Sequence, residues 1–173
     1  MSALVNFALY QSGWFACVAG AARGVPALGA GVAVLLVAVQ VLLSARPAAA
    51  LRLIGIAALL GAAWDSGLIG LHLVRYPNGL LAPGLAPYWI VALWMLFATT
   101  FHSSLAWLQQ RLGLAAVLGA VGGPLAYWGA ARLGAVQLLQ LPLALAVLCC
   151  GWALITPLLA ALARPTAARA EVA

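Results

Sequence analysis

The sequence predicts an all-α protein, an integral membrane helical bundle of about six transmembrane helices. Three observations carry this reading. The 173-residue chain is 67% hydrophobic and 6% charged, with a mean hydropathy of +1.15. A soluble domain of this size needs far more charge to cover its surface. Apolar runs near the length a helix needs to cross a bilayer, about 20 residues, recur along the chain between short breaks of Arg, Pro and Gly.

Six runs are expected to span, roughly 3–21, 27–44, 51–74, 87–108, 114–133 and 138–163, in a single transmembrane domain over 1–173 without internal repeat. The first has no basic leader and is interrupted by Asn6 and Gln11, so it reads as a retained helix rather than a signal peptide. "ARGVP" and "SARPAAALR" delimit the second. The third ends in "RYPNGLLAPGLAP", whose three prolines predict an ordered cap or a short re-entrant stretch. "QQRLG" separates the fourth from the fifth. In the fifth, Ala115, Gly119 and Gly123 stand four apart, the small-residue spacing of closely approaching helices, and Pro124 predicts a kink. "ARLGA" precedes the sixth, after a weakly polar stretch.

All eight basic residues are Arg, and the acids are Asp65 and Glu171 alone, for a net charge of +6. The arginines are spread singly, so no nucleic-acid face is expected; they read as topology signals and phosphate anchors. Six spans put Arg46, Arg52, Arg111, Arg164 and Arg169 on one side with both termini, and Arg23, Arg75 and Arg132 on the other. The bias predicts cytoplasmic termini. Abundant Ala, Gly and Arg without Lys suggests a bacterial source. Cys17, Cys149 and Cys150 sit in apolar runs without metal-ligand spacing and read as small buried hydrophobes. Neither a metal nor a cofactor is expected, since two histidines and one acid at unlike depths make a poor metal site.

The segment "ALWMLFATTFHSSLAWLQQ" is apolar enough to cross a membrane, yet its second half holds Thr99, Thr100, His102, Ser103 and Ser104. At about 1.5 Å per residue, Asp65 lies about 20 Å, and His102 about 13 Å, from the same end of the bundle. Thr99, Gln11 and Trp14 fall in the same zone, with Tyr127 and Cys149 near it. Asn6, Tyr10, Gly13 and Cys17 form one helical stripe; Gly61, Asp65, Leu68 and His72 form a second; Thr99, His102, Ser103 and Ala106 form a third. Such faces turn inward. A single midplane polar pocket is therefore expected, with Asp65 as its most costly member, about 2.5–3.5 kcal/mol on insertion scales. Asp65 reads equally as a proton or ligand site and as a structural hydrogen-bond hub.

"NFALYQSGWFACVAGAARG", "AAWDSGLI", "ALWMLFATTFHSSLAWL" and "LGAVGGPLAYWGAARLGA" together resemble a bacterial multi-pass inner-membrane family known as a domain of unknown function. The resemblance covers nearly the whole chain through N-x-x-x-Y-Q-x-x-W, W-D-S, T-T-x-H-S-x-x-W-L and G-G-P-x-A-Y. It implies Asn6, Tyr10, Gln11, Trp14, Asp65, Ser66, Thr99, His102, Ser103, Trp107, Pro124 and Tyr127 as motif positions. Of these, Asn6, Tyr10, Gln11, Trp14, Asp65, Ser66, Thr99, His102, Ser103 and Tyr127 are the ligand-pocket candidates; no catalytic residue is assigned. The resemblance also implies a link to membrane-lipid modification, such as cyclopropane fatty-acid synthesis, through neighbouring genes.

The expected function is therefore that of an accessory or binding protein for a lipid or apolar small molecule, serving lipid modification. Its expected partners are membrane lipid and either a second copy of the chain or a lipid-modifying enzyme. Two rivals are a small proton-coupled transporter, with Asp65 titrating, and an intramembrane lipid-modifying enzyme using Asp65 and His102 as acid and base. Transport is weakened by the short chain without repeats. Enzyme chemistry is weakened by the lack of a clear nucleophile or cofactor motif.

Overall fold

The structure, a computed structural model, describes residues 2–164, so Arg169 and Glu171 lie outside the described residues. Six α-helices follow one another: α1 Ala3–Ala22, α2 Pro26–Leu42, α3 Pro47–Gly70, α4 Tyr88–Thr100, α5 Leu112–Arg132 and α6 Leu141–Leu162. Proline stands at the start of α2, α3 and α6, where its missing N–H would be unpaired in any case. The Ser2 hydroxyl caps α1 by accepting from the Val5 N–H. Three helices, α3, α5 and α6, are long and apolar enough to cross a membrane, while α2 and α4 are shorter apolar helices. Their outward faces are apolar too: Leu4, Leu28, Leu59 and Leu154 are each at least 70% exposed, which suits contact with lipid.

α4 occupies the middle of a four-helix group, packed against α1, α2 and α3. α5 and α6 form a hairpin beside that group. Two-residue strands join the two parts at one end: β1, Val74–Arg75, pairs antiparallel with β2, Gln137–Leu138. The Leu139 N–H adds a bond to the Leu73 carbonyl. At the opposite end, Arg164 Nε donates to the Gln109 carbonyl at 2.6 Å.

The stretch 87–108, read from sequence as one span, is not one continuous helix. α4 stops at Thr100 after 13 residues, and a 3₁₀ turn over Ala106–Gln110 follows an irregular bend. The hydroxyl run accounts for this. Thr99 and Thr100 donate to the carbonyls of Leu96 and Phe97, three residues back, at 2.7 and 2.6 Å. Gln109 Nε2 donates to the Phe101 carbonyl, and the Ser104 N–H turns away to Asn6 Oδ1. The backbone groups at the helix end are thus satisfied without continuing the helix. The sixth span starts later than expected because residues 137 and 138 belong to β2. α5 runs through Pro124 without interruption. Of the cysteines, Cys17 is buried, but Cys150 lies exposed on α6 and is not a core residue.

The Pro-rich segment after β1 is pinned down. Asn78 Nδ2 donates to the Ala21 carbonyl, the Trp89 indole donates to the Asn78 carbonyl, and the Ala86 N–H donates to Ser66 Oγ. Gly79 allows the turn: its φ is +86°, and a Cβ there would meet the Trp89 ring at 2.5 Å. The segment therefore folds back into the bundle, carrying Tyr76 to near-complete burial at 3% exposure.

Candidate functional site

Asp65 is fully buried on the inner face of α3. Three neutral donors from three other parts of the chain converge on it. Tyr76 from the re-entrant segment and Tyr127 from α5 donate to Oδ1 at 2.5 and 2.6 Å, and the Trp94 indole from α4 donates to Oδ2 at 2.8 Å. Three donors on two oxygens is the bonding that suits a carboxylate. Each such bond contributes about 1.5–3 kcal/mol, so three together offset the about 2.5–3.5 kcal/mol that an acid costs at membrane depth. Measured along the helices at about 1.5 Å per residue, Asp65, Trp94 and Tyr127 all lie about 8–9 Å from the β1–β2 end.

The donor rings are held by glycine. A Cβ on Gly61, one turn before Asp65, would fall 2.0 Å from Trp94 Cγ, so the indole lies flat on the α3 backbone with its N–H over the carboxylate. Across the cleft, Trp152 of α6 rests on Gly123 of α5 in the same way. The two indoles stack at 4.7 Å and 16°. Phe97 meets Trp152 edge-on at 5.4 Å, and Tyr10 of α1 tilts against Phe97 at 6.0 Å.

These rings line a narrow cleft, partly open to the exterior, between α1 and α4 on one side and α5–α6 on the other. Tyr76, Trp94 and Tyr127, the residues that hold Asp65, all line it. Their polar atoms are occupied by the carboxylate, so they offer ring faces to the cleft. Trp152 differs: its indole N–H is buried and has no partner among the described residues.

A second polar group sits at the other end of the bundle. Asn6 Nδ2 donates to Gln40 Oε1 of α2, and Asn6 Oδ1 accepts from both the N–H and the hydroxyl of Ser104. Beside it, a recess, also partly open, is lined by Gln40, Ser44, Thr99, His102 and Ser103 among others.

The family model described as Protein of unknown function (DUF2878) matches residues 3–158. The chain belongs to that family. No curated protein and no solved structure matches it.

In this DUF2878 chain the sequence-expected residues do not form one layer. Tyr10, Trp14 and Tyr127 line the aromatic cleft, with Asp65 behind them. Thr99, His102 and Ser103 line the recess at the other end. Asn6 ties α1 to α2 and to the break after α4. Ser66 anchors the re-entrant segment, and half-buried Gln11 lines neither hollow. Asp65 and His102 are not brought together. Trp107 is 46% exposed and stands under the Arg111 guanidinium, 5.9 Å from its ring centre. Sequence reasoning missed Gln40, Tyr76, Trp94, Trp152 and Ser104. Gln40 carried a readable signal, a lone amide inside "VLLVAVQVLL". Gly61 carried another, since a glycine one turn before a buried acid leaves room for a ring.

Proposed function

We propose that the protein crosses a bacterial inner membrane six times, with both termini in the cytoplasm, and binds a lipid chain or other apolar small molecule in the aromatic cleft in support of membrane-lipid modification. The observation that carries this is the lining of the cleft: aromatic and aliphatic side chains, with the polar heads of Tyr76, Trp94 and Tyr127 already committed to Asp65. Such walls favour an apolar guest. The distribution of Arg46, Arg52, Arg111 and Arg164 against Arg23, Arg75 and Arg132 supports the orientation. Helices packed in the interior, such as α4, need not match the full bilayer thickness when the helices around them do.

The test is crosslinking with a phospholipid that carries a diazirine on its acyl chain, in membranes containing the protein. Adducts are expected on the peptides around Trp94 and Trp152. Ala126→Trp, which fills the cleft, should remove them and leave adducts at outward positions such as Leu59 and Leu154. Adducts confined to outward positions in the unaltered protein would refute cleft binding. Comparing the lipids of a deletion strain with those of its parent tests the link to lipid modification; identical compositions would remove it.

A second reading is favoured by one observation: Asp65 is held by neutral donors and, among the described residues, by no cation. An acid so placed suits a proton-coupled carrier. Proteoliposomes with a pH dye inside would reveal a proton flux that Asp65→Asn abolishes. The enzyme reading with Asp65 and His102 as acid and base loses support, because the two residues serve different hollows.

A further inference from the structure

The recess beside Asn6 is built differently from the aromatic cleft and stands apart from any ligand bound there. Gln40 is 5% exposed, and its Oε1 is engaged by Asn6. That bond sets the amide orientation and leaves Nε2 buried with no partner among the described residues. His102 Nδ1, on the facing wall, is likewise buried and unpartnered. The hydroxyls of Ser44 and Ser103 lie along the same lining.

The surroundings are cationic. The guanidinium charges of Arg46 and Arg52 act on the His102 ring. Arg46 precedes the first residue of α3, and Ala50 completes the wall, so the positive end of a 24-residue helix dipole lies at this end. The one acid among the described residues, Asp65, is engaged in the other polar group. A cation would meet only repulsion here. The amide, imidazole and hydroxyl groups together can offer several donors to one guest. A tetrahedral oxyanion presents enough acceptor oxygens for all of them, and charge-assisted bonds are the strong ones.

We propose that this recess binds a phosphate group, carried either by an anionic lipid headgroup or by free phosphate. Gln40 Nε2 and, in its Nδ1–H tautomer, His102 supply the buried donors, and Arg46 and Arg52 supply positive charge near the His102 ring.

The full chain in neutral detergent would be titrated calorimetrically with dihexanoyl-phosphatidylglycerol, dihexanoyl-phosphatidylcholine and inorganic phosphate. Saturable binding of phosphatidylglycerol without phosphate identifies a headgroup site. Binding of inorganic phosphate, with or without the lipid, identifies the phosphate itself as sufficient. Binding of neither, or of phosphatidylcholine as tightly as phosphatidylglycerol, overturns the proposal. Gln40→Glu keeps the oxygen that Asn6 needs and replaces the unpartnered N–H₂ with a negative oxygen. It should weaken binding at least about tenfold in a folded protein. Unchanged affinity in folded Gln40→Glu overturns the proposal. Should that variant fail to fold, the exposed pair Arg46→Ala/Arg52→Ala decides in the same way, with a loss of about tenfold that shrinks as salt rises.

Discussion

Changing Gly61 to alanine adds one methyl group, yet it should disturb the Asp65 site more than most larger changes. The new Cβ would lie 2.0 Å from Trp94 Cγ, 2.2 Å from Cδ1 and 2.3 Å from Cδ2, so the ring must lift away from α3. Lifting it breaks the 2.8 Å bond to Asp65 and disturbs the stack on Trp152. Overpacking costs about 1–3 kcal/mol, and a lost bond to a carboxylate about 1.5–3 kcal/mol. The sum is about 2.5–6 kcal/mol, a fall in Tm on the order of 10 °C for a chain of this size. The same helix supplies the control. A Cβ on Gly55 or Gly67 would meet nothing within 4 Å. Alanine there should be neutral or should stabilise by about 0.5–1 kcal/mol, through the helix preference alone. Thermal unfolding in detergent, followed by circular dichroism, would compare the three variants. In a Trp94→Ala background the cost of Gly61→Ala should vanish, because the obstructing ring is gone. Equal stability of Gly61→Ala and Gly67→Ala, or an undiminished cost without Trp94, would refute the seating of the ring on glycine.

Asp65→Asn can keep both phenol bonds on its carbonyl oxygen but sets an amide N–H₂ against the Trp94 N–H, so it should fold with a loss of about 1–3 kcal/mol. Asp65→Leu strands all three donors and should be clearly less stable in the same melt; the reverse order would contradict the bonding described. Asn6→Ala removes the partner of Ser104 and of Gln40 Oε1, and hydrogen exchange should speed up at residues 101–105 while α5 and α6 stay protected. Reporter fusions ending at Asn78 and at Ala173 should report periplasm and cytoplasm respectively; a periplasmic reporter at Ala173 would reverse the proposed orientation.

Helices and their breaks were legible because proline, glycine and arginine interrupt a nearly continuous apolar text, and lipid-facing helices need little else. The inward stripes were legible too: Asn6, Gly13 and Cys17 are buried on α1, and Gly61, Asp65 and Leu68 on α3. Depth counting failed where the chain leaves the straight helix. Tyr76 lies beyond the third apolar run, and only the fold of the Pro-rich segment returns it to Asp65. Trp94 sits in an apolar stretch whose composition says nothing of an indole N–H needed one helix away. The hydroxyl run suggested a pocket wall, which Thr99 and Ser103 provide, but its larger effect is to end α4. Side-chain bonds to the backbone three residues earlier are local, and no periodicity in the apolar pattern records them.

The α5–α6 hairpin is fastened to the other helices at both extremities, by the β1–β2 pair and the Leu139–Leu73 bond at one and by Arg164 on Gln109 at the other. Between these ties it meets its neighbours largely through aromatic ring contacts and, among the described residues, the Tyr127–Asp65 bond. A part held so at top and bottom does not swing as a lid. A guest of the kind proposed above would then have to exchange by rotation of individual side chains rather than by collective motions of domains.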